Sequence, residues 1–152
     1  MSGEVQELGH LVLYVRDLKR SVDFYQKVLG WQLISPSVPG MPAAAFSGGR
    51  THHELLLIEV GPTATPIPAG RRIGLYHFGL KVGDSDDELR AALARLVEAD
   101  VPLIGATDHN VTHSLYISDP DGNEIELYIG VAGGGWRNDP LAVRAPGRTL
   151  SL

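Results

Sequence analysis

The feature that most limits the folds open to this chain is a repeat of itself at an offset of 67 positions. His10 falls on His77, Leu13 on Leu80, Val15 on Val82 and Asp17 on Asp84. Around each copy the same order of elements recurs. "LGHLVLYV" alternates as a half-buried strand does, and "DLKRSVDFYQKVLG" follows with Leu18, Val22, Tyr25 and Leu29 at helical spacing. Asp17 is the expected N-cap and Gly30 the terminator. In the second copy "LYHFGLKV" is the strand and "SDDELRAALARLVEAD" the helix, opened by a capping box of Ser85 and Glu88. "AAAFSGG" and "HHELLLIEV" add strands to the first copy; "VPLIGAT" and the hairpin "HSLYISDPDGNEIELY" add them to the second. The Pro/Gly-rich "GPTATPIPAGRR" separates the two. The expected fold is therefore α+β: one domain over 1–152, with module one at about 8–60, a linker at 61–72, module two at about 73–130 and a tail at 131–152.

Side chains alternate across a strand, so parity says where each residue points. His10, Val12 and Tyr14 oppose Leu11, Leu13 and Val15; His77, Gly79 and Lys81 oppose Phe78, Leu80 and Val82. Glu124, Glu126 and Tyr128 oppose Ile125, Leu127 and Ile129. In all three strands a potential metal ligand lies on the face turned away from the aliphatic layer. The expectation is a cupped mixed sheet with helices outside and a polar, metal-binding cavity inside. Two neutral imidazoles and a carboxylate suit a divalent ion with open coordination positions, iron(II) or manganese(II) first, with zinc or nickel also compatible. Glu124 is expected as a solvated or rim group beside Glu126. The "DPDGN" run, Asp119 to Asn123, is a backbone turn, with Pro fixing φ and Gly tolerating a positive φ.

Composition removes other classes of function. No cysteine is present, so disulfides and thiolate metal sites are excluded and a cytoplasmic setting is expected. No run of 18 apolar residues suggests a membrane span, and no basic segment followed by an apolar run suggests export. A formal charge of -5 without a Lys/Arg cluster argues against nucleic acid, leaving small molecules or a second copy as partners.

The stretches "LGHLVLYVRDLKRSVDFYQKVLGW", "GLYHFGLKV" and "SLYISDPDGNEIELY" resemble the vicinal oxygen chelate superfamily, which includes glyoxalase I, bleomycin-resistance proteins, fosfomycin-modifying enzymes and type I extradiol dioxygenases. The likeness covers about residues 8 to 130. It implies two βαβββ modules and metal ligands at His10, His77 and Glu126, the trio that parity reaches separately. "RTHHELLLIEV", "GLYHFGL" and "DHNVTHSLYISDPDGNEIELY" resemble the extradiol branch, which cleaves catechols with dioxygen. That likeness implies His53 as acid/base, Tyr116 as a hydrogen-bonding group toward substrate, and His109 as a further pocket residue. Parity agrees that Ser114, Tyr116 and Ser118 share a face, and it sets His113 with Leu115 and Ile117 as structural.

The strand "HHELLLIEV" leaves a choice. His53, Leu55, Leu57 and Glu59 form one face, His52, Glu54, Leu56 and Ile58 the other. His53 inward favours the dioxygenase; Glu54 inward offers the fourth ligand of a glyoxalase I-like lyase or isomerase. A third reading is a cup that sequesters an aromatic compound or antibiotic without catalysis. Extradiol enzymes commonly carry four modules where this chain has two, so a homodimer, or the tail with Trp136 and Arg137, is expected to wall the pocket.

Overall fold

The computed structural model describes residues 3–35, 39–133 and 135–152. It divides into two compact units, Met1–Pro66 and Ile67–Leu152. Residues 36–38 and Gly134 of the tail lie outside the described residues. Among the described residues no helix is long and apolar enough to cross a membrane.

The first unit contains β1 (Leu11–Val15), α1 (Leu18–Asp23) running on as a π-helical turn (Phe24–Val28), β2 (Leu33–Ser35), β3 (Ala43–Phe46) and β4 (Leu55–Glu59). Its sheet has the order β1-β4-β3-β2, with β1 and β4 parallel and the other pairs antiparallel. Asp17 caps α1 as expected, its Oδ1 accepting from the Arg20 N–H at 2.8 Å. Gly30, at φ +74°, ends the helical run in the left-handed conformation that glycine adopts without steric cost. The π turn, closed by the Leu29 N–H donating to the Phe24 carbonyl at 3.1 Å, lets two consecutive aromatics, Phe24 and Tyr25, enter the core. There they join Leu13, Val15, Phe46, Leu55 and Leu57, each side chain contributing roughly 1.5–3 kcal/mol by burial.

The second unit contains β5 (His77–Gly83), α2 (Asp86–Glu98), β6 (Gly105–Asp108), β7 (Thr112–Ser118), β8 (Glu124–Gly130), a short 3-10 helix (Pro140–Arg144) and β9 (Arg148–Thr149). The sheet order is β5-β8-β7-β6-β9. The capping box forms with a shift: Ser85 Oγ accepts from the Glu88 N–H at 3.4 Å, while Glu88 Oε2 reaches past Ser85 to the Asp84 N–H at 2.7 Å. Leu89 and Leu96 of α2 are buried, as are Leu115, Ile117, Ile125, Leu127 and Ile129 of the sheet. The alternation read from sequence thus sorts β7 and β8 correctly into an apolar face and a polar one. Asp119 makes the hairpin turn, its Oδ1 accepting from the N–H groups of Asp121 (2.9 Å) and Asn123 (2.8 Å), with Gly122 at φ +91°.

The tail does more than cover or trail. Asp139 caps the 3-10 helix by accepting from the Leu141 N–H at 3.0 Å, and β9 then pairs antiparallel with β6, Arg148 opposite Asp108 and Thr149 opposite Thr107. It adds a fifth strand to the sheet that carries His77 and Glu126. Gly147 makes this approach possible, since a Cβ there would meet Thr107 Cγ2 at 2.9 Å and His109 Nδ1 at 3.3 Å.

Candidate metal centre and its surroundings

In the second unit, β5 and β8 run parallel with His77 opposite Glu124 and Gly79 opposite Glu126. β7 lies on the far side of β8, antiparallel, with Tyr116 opposite Glu126. These registers gather His77, Glu126 and Tyr116 on one face, where with His109, Tyr128 and Val143 they line a cavity of about 350 Å³.

His77 Nε2 lies 3.4 Å from Glu126 Oε2. Two ligand atoms each about 2.1 Å from one ion are separated by about 3.0–3.4 Å, so the pair fits a shared divalent cation. Ser114, buried beneath, donates its hydroxyl to Glu126 Oε1 at 2.6 Å, holding the carboxylate so that Oε2 is the oxygen turned to the imidazole. Gly79 keeps space open: a Cβ there would meet the Tyr128 ring at 3.1 Å and Glu126 Oε2 at 3.7 Å. His77 Nδ1 is buried and has no hydrogen-bond partner, with Glu124 Oε1 3.8 Å away. The Glu124 side chain is 22% exposed, drawn in by direct register with His77. It stands where the outer partner of a ligating imidazole is commonly found.

The Tyr116 hydroxyl is 2.7 Å from His109 Nε2. Burial raises its pKa to about 12, with the Glu126 carboxylate adding to the shift, so the phenol stays a hydrogen-bond donor at any physiological pH. His109 sits just beyond β6 and so enters the same cavity as Tyr116. His113, on the opposite face, pairs through Nδ1 with Asp86 Oδ1 at 2.6 Å and ties β7 to the first turn of α2.

In the first unit, His10 precedes β1, and its ring lies 4.6 Å from that of His53 and 6.1 Å from that of His52. The two neighbours touch Nδ1 to Nδ1 at 2.6 Å, so one of them donates to the other. The strand expected from His52 onward starts only at Leu55; residues 52–54 form a bend, and alternation does not apply to them. Glu54 explains the bend. Its carboxylate accepts from the N–H groups of Gly48 (2.6 Å), Arg50 (3.1 Å) and Thr51 (3.3 Å), folding the glycine-rich turn back on the chain. Burial pushes the Glu54 pKa up, but those donors, Gly48 foremost, more than offset it and hold the group below its ordinary value. For His53, burial comes first and the neighbouring His52 and His10 second in pushing the pKa down, so the ring is neutral near pH 7. Among the described residues no three His, Asp or Glu side chains form a complete ligand cluster. The His77–Glu126 pair belongs to the second unit, and the grouping of His10, His52 and His53 to the first.

Residues 7–127 match the profile of the Glyoxalase/Bleomycin resistance protein/Dioxygenase superfamily. The chain belongs to this superfamily. Over 136 residues, 90% of the chain, it is 39% identical to the catechol-2,3-dioxygenase of Bacillus subtilis (strain 168), covering 46% of that protein. The chain thus spans about half the length of that relative. It is 29% identical to the metallothiol transferase FosB of Lysinibacillus sphaericus (strain C3-41), over 83% of the chain and 84% of that protein. A solved glyoxalase/dioxygenase from Nostoc punctiforme superposes with a TM-score of 0.69 over 86% of the chain and 94% of its own, at 20% identity, which supports the glyoxalase fold.

Neither the hold of Ser114 on Glu126 nor the gap that Gly79 leaves beside it is legible in the sequence. Cross-strand register supplies both, and register is not visible in a single strand. The role of Glu54 had a local signal, since "THHE" follows the spacing of a capping box, here closing a loop in place of a helix.

Proposed function

We propose that the chain is a metal-dependent extradiol dioxygenase that opens the ring of a catechol-type diol, with iron(II) held by His10, His77 and Glu126; manganese(II) suits the same donors. The observation that carries the proposal is the His77–Glu126 pair, 3.4 Å apart, sharing its cavity with the Tyr116 hydroxyl. Two ligand atoms and a donor for a substrate oxygen stand together. The repeat register supports His10 as the third ligand, and the likeness to the Bacillus subtilis catechol-2,3-dioxygenase supports the reaction class. Such an ion supplies Lewis acidity for a vicinal diol and the redox capacity that dioxygen chemistry needs.

The chain's own groups divide the remaining work. Neutral His53 accepts a proton from the diol and returns one as the ring opens. Tyr116, kept protonated and held by His109, donates its O–H to an oxygen of the substrate on which negative charge develops. Ser114 fixes the carboxylate. The glyoxalase I-like alternative asks Glu54 to serve as a fourth ligand, and its carboxylate is already engaged by three loop N–H groups. That engagement favours the dioxygenase over the lyase or isomerase.

The partners proposed are an aromatic diol, dioxygen and, in a cytoplasmic setting, a second copy of the chain. The homodimer is supported by β1, an edge strand of its sheet. The test is oxygen uptake by protein loaded with iron(II) under argon and given a panel of catechols. Stoichiometric oxygen consumption with a yellow ring-opened product is expected; bound iron without oxygen consumption by any catechol would refute the reaction class.

A further inference from the structure

A second cavity, of about 660 Å³, adjoins the first along β8 and shares Val111, Thr112, Tyr128 and Val143 with it. Its other walls include Lys81 and Asp84 of the β5 end and Trp136 and Arg137 of the tail. Glu126 and Tyr128 occupy successive positions on one face of β8, about 7 Å apart along the strand, and Gly130 is about 7 Å further. A ligand whose reacting end sits at His77 and Glu126 therefore places groups about 7–13 Å from that end in the second cavity.

The charges in that cavity do not cancel. Lys81 Nζ is neutralised by Asp84 Oδ1 at 2.5 Å. The Arg137 guanidinium lies 4.6 Å from the centroid of the Trp136 ring and, among the described residues, has no carboxylate partner. Stacking on an indole holds the guanidinium plane while leaving its N–H edge free, the geometry that accepts a carboxylate through two parallel hydrogen bonds. Tyr128, Val143 and Trp136 offer apolar surface on the way there.

We infer that Arg137, held by Trp136, binds a carboxylate on the substrate's side chain, so that the preferred diols are aromatic acids with a short spacer between ring and acid. This names the substrate class of the dioxygenase reading and rests on it. The tail thereby acts as a specificity wall, anchored through β9 to the sheet that carries the ligands.

The experiment compares 3-(3,4-dihydroxyphenyl)propanoate with 4-propylcatechol, matched in length and differing in charge, by calorimetric binding under argon to the metal-loaded full chain, with oxygen uptake measured in parallel. The wild type is expected to favour the acid by at least about tenfold in Kd, as a charge-assisted contact gives. Arg137→Gln is expected to abolish that ratio and Arg137→Lys to keep part of it. Equal affinities in the wild type, or a ratio unchanged in Arg137→Gln, overturns the inference. Binding is read without turnover, so the two readings separate. A preference lost in Arg137→Gln without oxygen uptake keeps the carboxylate subsite and rejects the dioxygenase, whereas uptake of both diols at ratios indifferent to Arg137 does the reverse.

Discussion

Replacing Glu54 with Gln separates a loop-folding carboxylate from a metal ligand. The wild-type group accepts three backbone hydrogen bonds, of 2.6, 3.1 and 3.3 Å, from a turn whose glycines are exposed. A hydrogen bond to a charged group contributes about 1.5–3 kcal/mol when buried, but these donors regain water when released, and Gln keeps one acceptor oxygen. The expected loss is about 1–2 kcal/mol, or about 2–8 °C in Tm for a chain of this size. Its pH dependence follows from the direction of the shift. The folded-state pKa lies below the ordinary value, so the stabilisation is fully present above the unfolded-state pKa and disappears as pH falls through the folded one. Urea unfolding of wild type and Glu54→Gln at pH 7 should therefore differ by the full amount, and the gap should close at acid pH. Metal affinity, titrated under argon, should be unchanged. Wild-type stability combined with a tenfold or greater loss of metal affinity would refute the reasoning and restore the four-ligand site.

Two further outcomes follow from the second unit. Ser114→Ala frees Glu126 Oε1 and should weaken metal binding by about 10- to 100-fold without unfolding the sheet, as measured by competition with a chelating dye. Tyr116 should titrate late, near pH 12, in an ultraviolet titration that Tyr116→Phe simplifies by one tyrosine; because its folded-state pKa is raised, stability should fall as pH climbs from about 10 to about 12.

The outline of both units was legible because two periodicities and two caps agree. The aliphatic positions of β8, Ile125, Leu127 and Ile129, are the buried ones, and Asp17 and Ser85 both cap the helices that follow them. Parity also set Glu126 and Tyr116 on one face, where cross-strand register makes them neighbours. It failed at His52 to Glu54, because alternation holds only within a strand and the carboxylate of Glu54 bends the chain just before one begins. Strand β9 was not legible for a different reason. Two residues, Arg148 and Thr149, carry no pattern, and beside them Gly147 lies close enough to Thr107 that an added Cβ would crowd it. The closeness of Glu124 to His77 Nδ1 was not legible, since only the β5–β8 register sets it.

The most direct measurement is an anaerobic titration of manganese(II) or iron(II) into wild type, His10→Ala, His77→Ala, Glu126→Ala and Glu124→Ala. One ion per chain is expected for the wild type, with binding lost in the first three variants and retained, though weakened, in Glu124→Ala. Undiminished binding by His10→Ala or Glu126→Ala would contradict the proposed metal centre.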